Sequence, residues 1–576
     1  SNTIYNLLTA GGRYGADDAV KNALMIYMPT EDEVTSEDED YGPTAYGYTS
    51  SSFTIDKNSY YKLSVDVLTY NIAGTDKEGN EPGARIYVSS NTYAEIAGID
   101  TKGEWVTYEI YIEGAADASN TLTVNLALGK YSSYYSDGLT TGYAFFDNLA
   151  LEKITDDTDK NGTVTKSAAE KYADAVATEL TQYEANKNDS ASPVTVATAT
   201  LRLPNGRFEF GSTSISSSTA PSNWSVVRGN SSESDPAPSS DRFNGIIDLA
   251  TFEEDYSSYV STSYYLRNGG TTSKYSPATQ LDGIANTIGL RDGIYGTGAY
   301  LLSQQLMTAQ GIKSSRKIVI EKNKYYIVSV DLYLVNVFGA GATLRLSGDG
   351  EDIEIKGIAS NASSDTVLYG SPENGKSSGG WTTYTFVIHG NQYRDMSYNM
   401  EIWLGTEGTN SNTSVKYTKY TSTSSSSSGT SATTYKANGT FSTGWVFIDN
   451  LTLKETDEEG FDSATVTGDG NYSLDANGSV GAQGLRIDLE TVNLFASGST
   501  GIDGEFKPAG SDDFSAGSLG LSAGISYSAS TEDNAAAVDA SFVKTGVVNA
   551  KTGAGLPEGV EAPGTPYATE SDYAFM

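Results

Sequence analysis

The chain has 576 residues and a net charge of −36 from 37 basic and 73 acidic residues, with no cysteine and one histidine, His389. That composition excludes disulfides, thiolate metal sites and cysteine nucleophiles, and it argues against a multi-histidine metal centre or a histidine-based catalytic set. The negative field repels phosphate backbones and anionic membranes, and no apolar run approaches the ~20 residues of a membrane helix, so neither nucleic acid nor membrane insertion is expected.

Two to four domains are expected at this length. The first is read over 1–155. It opens on NLLTAGGRYG (Asn6–Gly15) and continues through IDKNSYYKLSVDV (Ile55–Val67), GEWVTYEIYIEG (Gly103–Gly114), VNLALG (Val124–Gly129) and GYAFFDNLALEK (Gly142–Lys153). In the second of these runs Tyr61, Leu63, Val65 and Val67 share one parity, the period of a half-buried antiparallel strand. Gly, Asn and Asp separate the runs, as turns require. The segment Lys130–Gly138 places Tyr131, Tyr134 and Tyr135 together, either as a ring platform for a ligand or as ordinary β filler.

A linker follows over 156–197. Its first part, DTDKNGTVT (Asp157–Thr165), resembles a dockerin-type or EF-hand calcium loop through Asp157, Asp159, Asn161 and Gly162, but Ala168 stands where the bidentate acid belongs. The alternative is an Asp/Asn/Gly turn leading into a helix. The helix is expected over 167–187, with Tyr172, Val176, Leu180 and Tyr183 forming one stripe.

The second domain, 198–456, repeats the first. LPNGRFEFG (Leu203–Gly211) opens it, and PSNW (Pro221–Trp224) follows. IEKNKYYIVSVDL (Ile320–Leu332), GGWTTYTFVIHG (Gly379–Gly390), MEIWLG (Met400–Gly405) and GWVFIDNLTLKE (Gly444–Glu455) match the four later blocks of the first domain in order. Such a repeat marks two copies of one unit. Two insertions separate the copies: the long segment containing Asp241–Tyr265, and a Ser/Thr-rich loop over 409–436. From 457 to 576 the chain is rich in Gly, Ser and Ala, and weak alternation suggests a C-terminal extended or β region. The fold class is therefore mainly β: two antiparallel β-sandwich (jelly-roll) domains joined by a helical linker, plus that C-terminal β region.

The order NGxFE, Gly-x-Trp-x-x-Tyr and FxDNLxL resembles jelly-roll carbohydrate-binding modules of the family 4, 16 and 22 group. The resemblance covers roughly 1–155 and 198–456. It implies a non-catalytic polysaccharide binder, and a structural Ca2+ held by Glu209 of NGxFE and Asp449 of the last strand. In the first copy Asp147 is kept, but Gly15 stands where the Glu belongs. The acidic, Tyr-rich, cysteine-free composition is also similar to starch-adherence proteins of gut anaerobes. That similarity implies a starch or α-glucan ligand, an extracellular cell-surface location, and other surface or amylosome proteins as partners. A structural protein, such as a surface-layer subunit, stalk or adhesin spacer, is the alternative. No motif points to an enzyme.

Candidate binding residues follow from which aromatics face outward. Met400, Ile402 and Leu404 share the core parity, so Trp403 and Glu401 fall on the other face, for ligand contact or under the insertion. Trp224 is either a ligand contact or a packing anchor. Tyr256, Tyr259 and Tyr264 of the insertion form a second tyrosine platform. Trp105 and Trp381, at equivalent places in both copies, are read as fold residues.

Overall fold

The structure is a computed structural model. It describes residues 23–28, 46–74, 82–88, 93–129, 140–187, 195–228, 242–253, 264–268, 271–275, 281, 285–307, 309–339, 341–349, 352–358, 380–392, 394–405, 415–420, 432–437, 442–464, 468–469 and 483–489.

Alternating apolar residues pair two sheets face to face in each copy. In the first copy one sheet has the order Leu24–Met28, Thr141–Ile154, Tyr60–Ala73, Val106–Glu113, Thr198–Thr200. The other runs Thr195–Val196, Ala94–Ile99, Ala84–Val88, Val124–Leu128, Tyr46–Thr49. Leu63, Val65 and Val67 meet Ile86, Leu126 and Leu128 between them. In the second copy a five-stranded sheet (Trp224–Arg228, Gln310–Ile320, Met396–Leu404, Ala342–Gly348, Ile353–Ile358) faces a seven-stranded one. The latter is built on Gly298–Met307, Ser442–Thr456, Tyr325–Gly339 and Thr382–His389. Val328, Val330, Leu344, Met400, Ile402 and Ile448 lie in the core between them.

The motif blocks shared by the copies converge on one knot in each sandwich. Asp331 of the VSVD strand accepts hydrogen bonds from Thr383 of the WTTY block and from Asn450 of the DNL block, the latter at 2.9 Å. Asp66, Thr107 and Asn148 repeat the arrangement in the first copy. Asn148 and Asn450 both adopt φ of +51°, where asparagine is better tolerated than most side chains, and each sits at a register shift in its strand.

Each sandwich is closed by a parallel strand from further along the chain. Thr198–Thr200 pairs with Val106–Glu113, and Gly484–Asp488 pairs with Thr382–His389 in the same register. Leu201 N–H donates to the Glu113 carbonyl at 2.8 Å, and Leu489 N–H to the His389 carbonyl at 3.0 Å. The first sandwich therefore extends to Leu201, and the second includes residues expected to belong to the C-terminal region.

The linker helix runs Ala168–Asn186, capped by Ser167, whose hydroxyl and backbone exchange hydrogen bonds with Glu170. Before it, Asp159 accepts N–H bonds from Asn161 and Thr163, both at 2.8 Å, within a short hairpin. That carboxylate is committed to a turn. The helix stripe docks on both sandwiches. Tyr172 lies 5.4 Å from Tyr60, Tyr183 lies 4.9 Å from Tyr295, and the Tyr183 hydroxyl donates to the Gly296 carbonyl at 2.7 Å.

The long insertion roofs the outer face of the seven-stranded sheet. Phe252, Leu281 and Ile288 bury Leu301, Tyr333, Trp445 and Phe447 in a second cluster, against which Trp381 packs. The two insertions also pair with each other. Tyr264–Asn268 and Thr271–Tyr275 form one hairpin, Val415–Tyr420 and Ala432–Ala437 another, and Tyr264–Asn268 pairs with Val415–Tyr420 in a four-stranded ribbon. Part of the expected Ser/Thr-rich loop is thus a hairpin; the serine run at 424–428 lies outside the described residues.

Candidate functional site

The outer face of the second copy's five-stranded sheet carries a cluster that its core does not need. Lys313, Glu401 and Arg345 stand in register across three strands, and Gly311, Trp403 and Thr343 form the next row. The Glu401 carboxylate accepts from the Ser347 hydroxyl at 2.5 Å and from the Trp403 indole N–H at 2.8 Å. It pairs with Lys313 at 2.9 Å and with Arg345 at 3.5 Å. Burial alone would raise its pKa, but the bonds from Ser347, Lys313 and Trp403 outweigh it and hold the carboxyl below its ordinary range.

Trp403 falls on the face opposite Met400, Ile402 and Leu404, but it is not open to solvent, with 2% of its surface exposed. The indole lies against Gly311, where a Cβ would come within 2.9 Å of the ring. Lys313 keeps its side chain 36% exposed. In the first copy Arg85, Tyr87, Asn125 and Ala127 take the places of Thr343, Arg345, Glu401 and Trp403. There Arg85 pairs with Glu95 and lies 4.8 Å over the Tyr87 ring.

Trp224 is a packing anchor rather than a ligand contact. It opens a strand, is 6% exposed, and packs 5.5 Å from Phe208 in the main core. Tyr131, Tyr134, Tyr135, Tyr256 and Tyr259 lie outside the described residues. Tyr264 begins the first strand of the ribbon. Lys313, Arg345 and Ser347 were not singled out in the sequence. Their parity could have shown them, because Arg345 alternates with the core residues Leu344 and Leu346.

The second candidate centre is built by the opening motif. The Asn205 amide staples the turn through the carbonyls of Phe210 at 2.7 Å and Ser222 at 2.9 Å. Gly206 lies against the last strand, where a Cβ would fall 2.2 Å from the Leu451 carbonyl oxygen. The turn delivers Glu209 beside Gly296 and Gly298, whose N–H lies 3.2 Å from both carboxylate oxygens. Burial, reinforced by Asp449, pushes the Glu209 carboxyl up to about 8. A hard cation beside it would favour the ionised form that burial disfavours.

Asp449 fits a cation less well. Its Oδ2 pairs with Arg291 at 2.8 Å and its Oδ1 accepts from the Asn450 N–H at 2.6 Å. Arg291, supplied by the insertion, also reaches Asp331 at 2.9 Å and lies 4.0 Å over the Trp381 ring. The guanidinium meets the electrostatic need that the sequence assigned to an ion. Among the described residues no three His, Cys, Asp or Glu side chains gather as a metal site.

No family model matches the chain, and no curated protein matches it either. Among solved structures it is similar to a stig cyclase, Fisc, from Fischerella sp. TAU (12% identity, 44% of this chain and 96% of that one, TM-score 0.23). It is similar to a CBM4 structure (9% identity, 44% and 99%, TM-score 0.17). It is also similar to the N-terminal CBM22-1–CBM22-2 tandem domain of Paenibacillus barcinonensis Xyn10C (9% identity, 76% and 98%, TM-score 0.17). These likenesses are too slight to carry an argument, and the functional reading rests on the side chains. No helix among the described residues is long and apolar enough to cross a membrane.

Proposed function

We propose that the protein binds polysaccharide without converting it, through the outer face of the second sandwich's five-stranded sheet, with a starch-type α-glucan as ligand at a bacterial cell surface. The observation that carries this reading is Glu401, a carboxylate kept ionised on the face away from the core by Lys313, Ser347 and Trp403. Burying a charge is costly, and the hydrophobic core makes no use of this one. In this reading the half-exposed Lys313 donates hydrogen bonds to sugar hydroxyls, and Glu401, itself only 3% exposed and braced by Ser347 and Trp403, holds Lys313 in place. Affinity is modest, with Kd between about 1 μM and 1 mM, because hydroxyls trade water for protein at little net gain.

A calcium ion at Glu209 belongs to the same proposal, as a structural ion supplying charge neutralisation and no chemistry. So do other cell-surface or amylosome proteins as partners. Native affinity gels across starch, xylan, β-glucan, mannan and mucin test the reading. Retardation by starch is expected, and migration unchanged by every polymer would overturn it.

A spacer role is favoured by a different observation. The two sandwiches are held together by charge: Arg202 pairs with Glu113 at 3.0 Å and lies 3.7 Å from Glu321, and Arg316 pairs with Asp117 at 3.0 Å. A pair fixed in this way would also serve as a stiff structural element.

A further inference from the structure

The first sandwich is one strand short of the second. In the second, Gly298–Met307 pairs with Ser442–Thr456 on one side and with Arg242–Asp248, from the insertion, on the other. In the first, Leu24–Met28 holds the same place against Thr141–Ile154 and, among the described residues, stands at the edge of its sheet. The register fixes the equivalence. Met25 stands opposite Phe145 as Leu301 stands opposite Phe447, and the two phenylalanines share one position in the repeat. Their surroundings differ. Leu301 is fully buried, opposite Gly245 of the added strand and within the apolar cluster under the insertion, whereas Met25 is 50% exposed. The added strand is itself covered in part, by reciprocal N–H to carbonyl bonds between Asn244 and Ser216, both at 3.0 Å.

The edge strand carries none of the usual guards. A sheet edge offers N–H and C=O groups to any further strand, and exposed edges are ordinarily defended by charge, proline or a bulge. The strand LMIYM has no charged residue and no proline, and it pairs with Thr141–Ile154 without a register shift. Ile26 and Met28 turn into the core, while Met25 and Tyr27 turn outward. Tyr27 stacks on Tyr143 at 4.3 Å, and Tyr143 lies 6.2 Å from Phe145, so the outward side continues into the sheet as an aromatic row.

We propose that Leu24–Met28 takes the same strand of a second copy of this chain, antiparallel about a two-fold axis through Ile26. The five residues are self-complementary in that register. Leu24 meets Met28 of the second copy, Ile26 meets its own counterpart, and Met25 meets Tyr27 of the second copy, a thioether–aromatic pair made twice. Opposed residues of an antiparallel pair share a face, so core side meets core side and aromatic row meets aromatic row across the seam. The interface closes after two chains, because the equivalent edge of the second sandwich is already filled by Arg242–Asp248. A second copy fits better than a charged partner, since the strand has no charge with which to recognise one. The net charge of −36 opposes the association. Five residues at about 3.4 Å each make a seam of only about 17 Å. The dimer is therefore weak, and it strengthens as salt screens the repulsion. None of these residues belongs to the Glu401 face.

Sedimentation velocity of the full chain from about 1 to about 200 μM tests the proposal. Wild type should pass from monomer to dimer across that range, and the dimer should strengthen between about 50 and about 500 mM salt. Met25→Lys should raise the dimer dissociation constant at least about tenfold, since the charge enters the seam twice. Val164→Lys, at an equally exposed apolar position in the hairpin before the linker helix, should leave it unchanged. Tyr27→Glu should also weaken the dimer. Met25→Lys combined with Tyr27→Glu should restore it, because the register sets the two opposite charges against each other across the axis. Hydrogen exchange at Leu24–Met28 should slow as concentration rises, a readout that needs no variant. A monomer throughout the range, a dimer unaffected by Met25→Lys, or a dimer that weakens with salt would each overturn the proposal. So would a combined variant that folds, by circular dichroism, yet stays monomeric. Slow exchange at Leu24–Met28 at every concentration would overturn it too, since the edge would then be filled by a strand of its own chain.

Discussion

The carboxylate of Glu179 in the linker helix accepts a hydrogen bond from the Arg207 guanidinium of the second sandwich's opening motif at 2.9 Å. It also accepts from the Thr198 hydroxyl and from the N–H groups of Ala197 and Thr198. Glu179 is 4% exposed. One buried side chain thus ties the helix to the closing strand of the first sandwich and to the opening turn of the second. Removing one partner of a buried charge pair leaves the other uncompensated. Glu179→Ala should therefore cost about 3–5 kcal/mol in urea denaturation. A loss below about 1 kcal/mol, the range of exposed pairs, would show that the helix is not a structural joint.

The closing strands predict where the chain can be cut. A fragment ending at 154 leaves out Val196, Ala199 and Leu201, all buried in the first sandwich. A fragment ending at 203 retains them. The longer fragment should unfold cooperatively with a structured near-ultraviolet circular dichroism spectrum, and the shorter should not. Within the full chain, Leu201→Ala should cost about 2–5 kcal/mol, as for other fully buried leucines. Two fragments of equal stability would contradict the strand assignment.

Gly311 makes room for the Trp403 indole. A Cβ at that position would lie 2.5 Å from the Ile402 carbonyl oxygen and 2.9 Å from the ring. Gly311→Ala should displace the indole, change the intrinsic tryptophan fluorescence, and cost about 1–3 kcal/mol by overpacking. An unchanged spectrum and melting temperature would mean that the indole has room to spare.

Glu209 predicts a pH dependence. Its folded pKa of about 8 lies above the ordinary 4.5, because burial disfavours the anion. A raised pKa contributes stability that is fully present below the ordinary value and is lost as pH rises through the folded value. Asp449, pushed up by burial to about 7, acts in the same direction. The melting temperature should fall between pH 5 and pH 8.5, and Glu209→Gln should flatten that fall. Calcium should stabilise the fold most at the alkaline end, by about 2.7 kcal/mol at a hundredfold excess over Kd, and raise the melting temperature accordingly. Identical melting curves with calcium and with chelator at pH 8.5 would remove the ion from the account.

The sandwich strands were legible because Tyr61, Leu63, Val65 and Val67, and their counterparts around Tyr326, alternate cleanly and recur. The linker helix was legible from the stripe Tyr172 to Tyr183. The parallel closing strands were not, because Thr198–Thr200 and Gly484–Asp488 are short and pair with partners far back in the chain. Periodicity gave the face of Trp403 but not its cover, since parity says nothing of what packs over a sheet. Trp224 follows Pro221 and Asn223, residues typical of turns, so its neighbours leave its role open; its strand pairs with the Ser314 region and turns the ring into the core. Arg291 was missed because the insertion around it has no period. The hairpin of Val415–Tyr420 and Ala432–Ala437 was hidden by the serines between its strands, although the recurring Tyr, Lys and Thr were a signal.

The most direct test of the account is isothermal titration of the full chain with soluble α-glucan, comparing wild type with Lys313→Gln and Glu401→Gln. Lys313 is the exposed end of the cluster, so Lys313→Gln should weaken binding at least several-fold while leaving the melting temperature within about 1 °C. Glu401→Gln should weaken it further, with some loss of stability because Lys313 loses its carboxylate partner. Binding that persists unchanged in both variants would contradict the claim that the Glu401 face of the second sandwich is the glycan site.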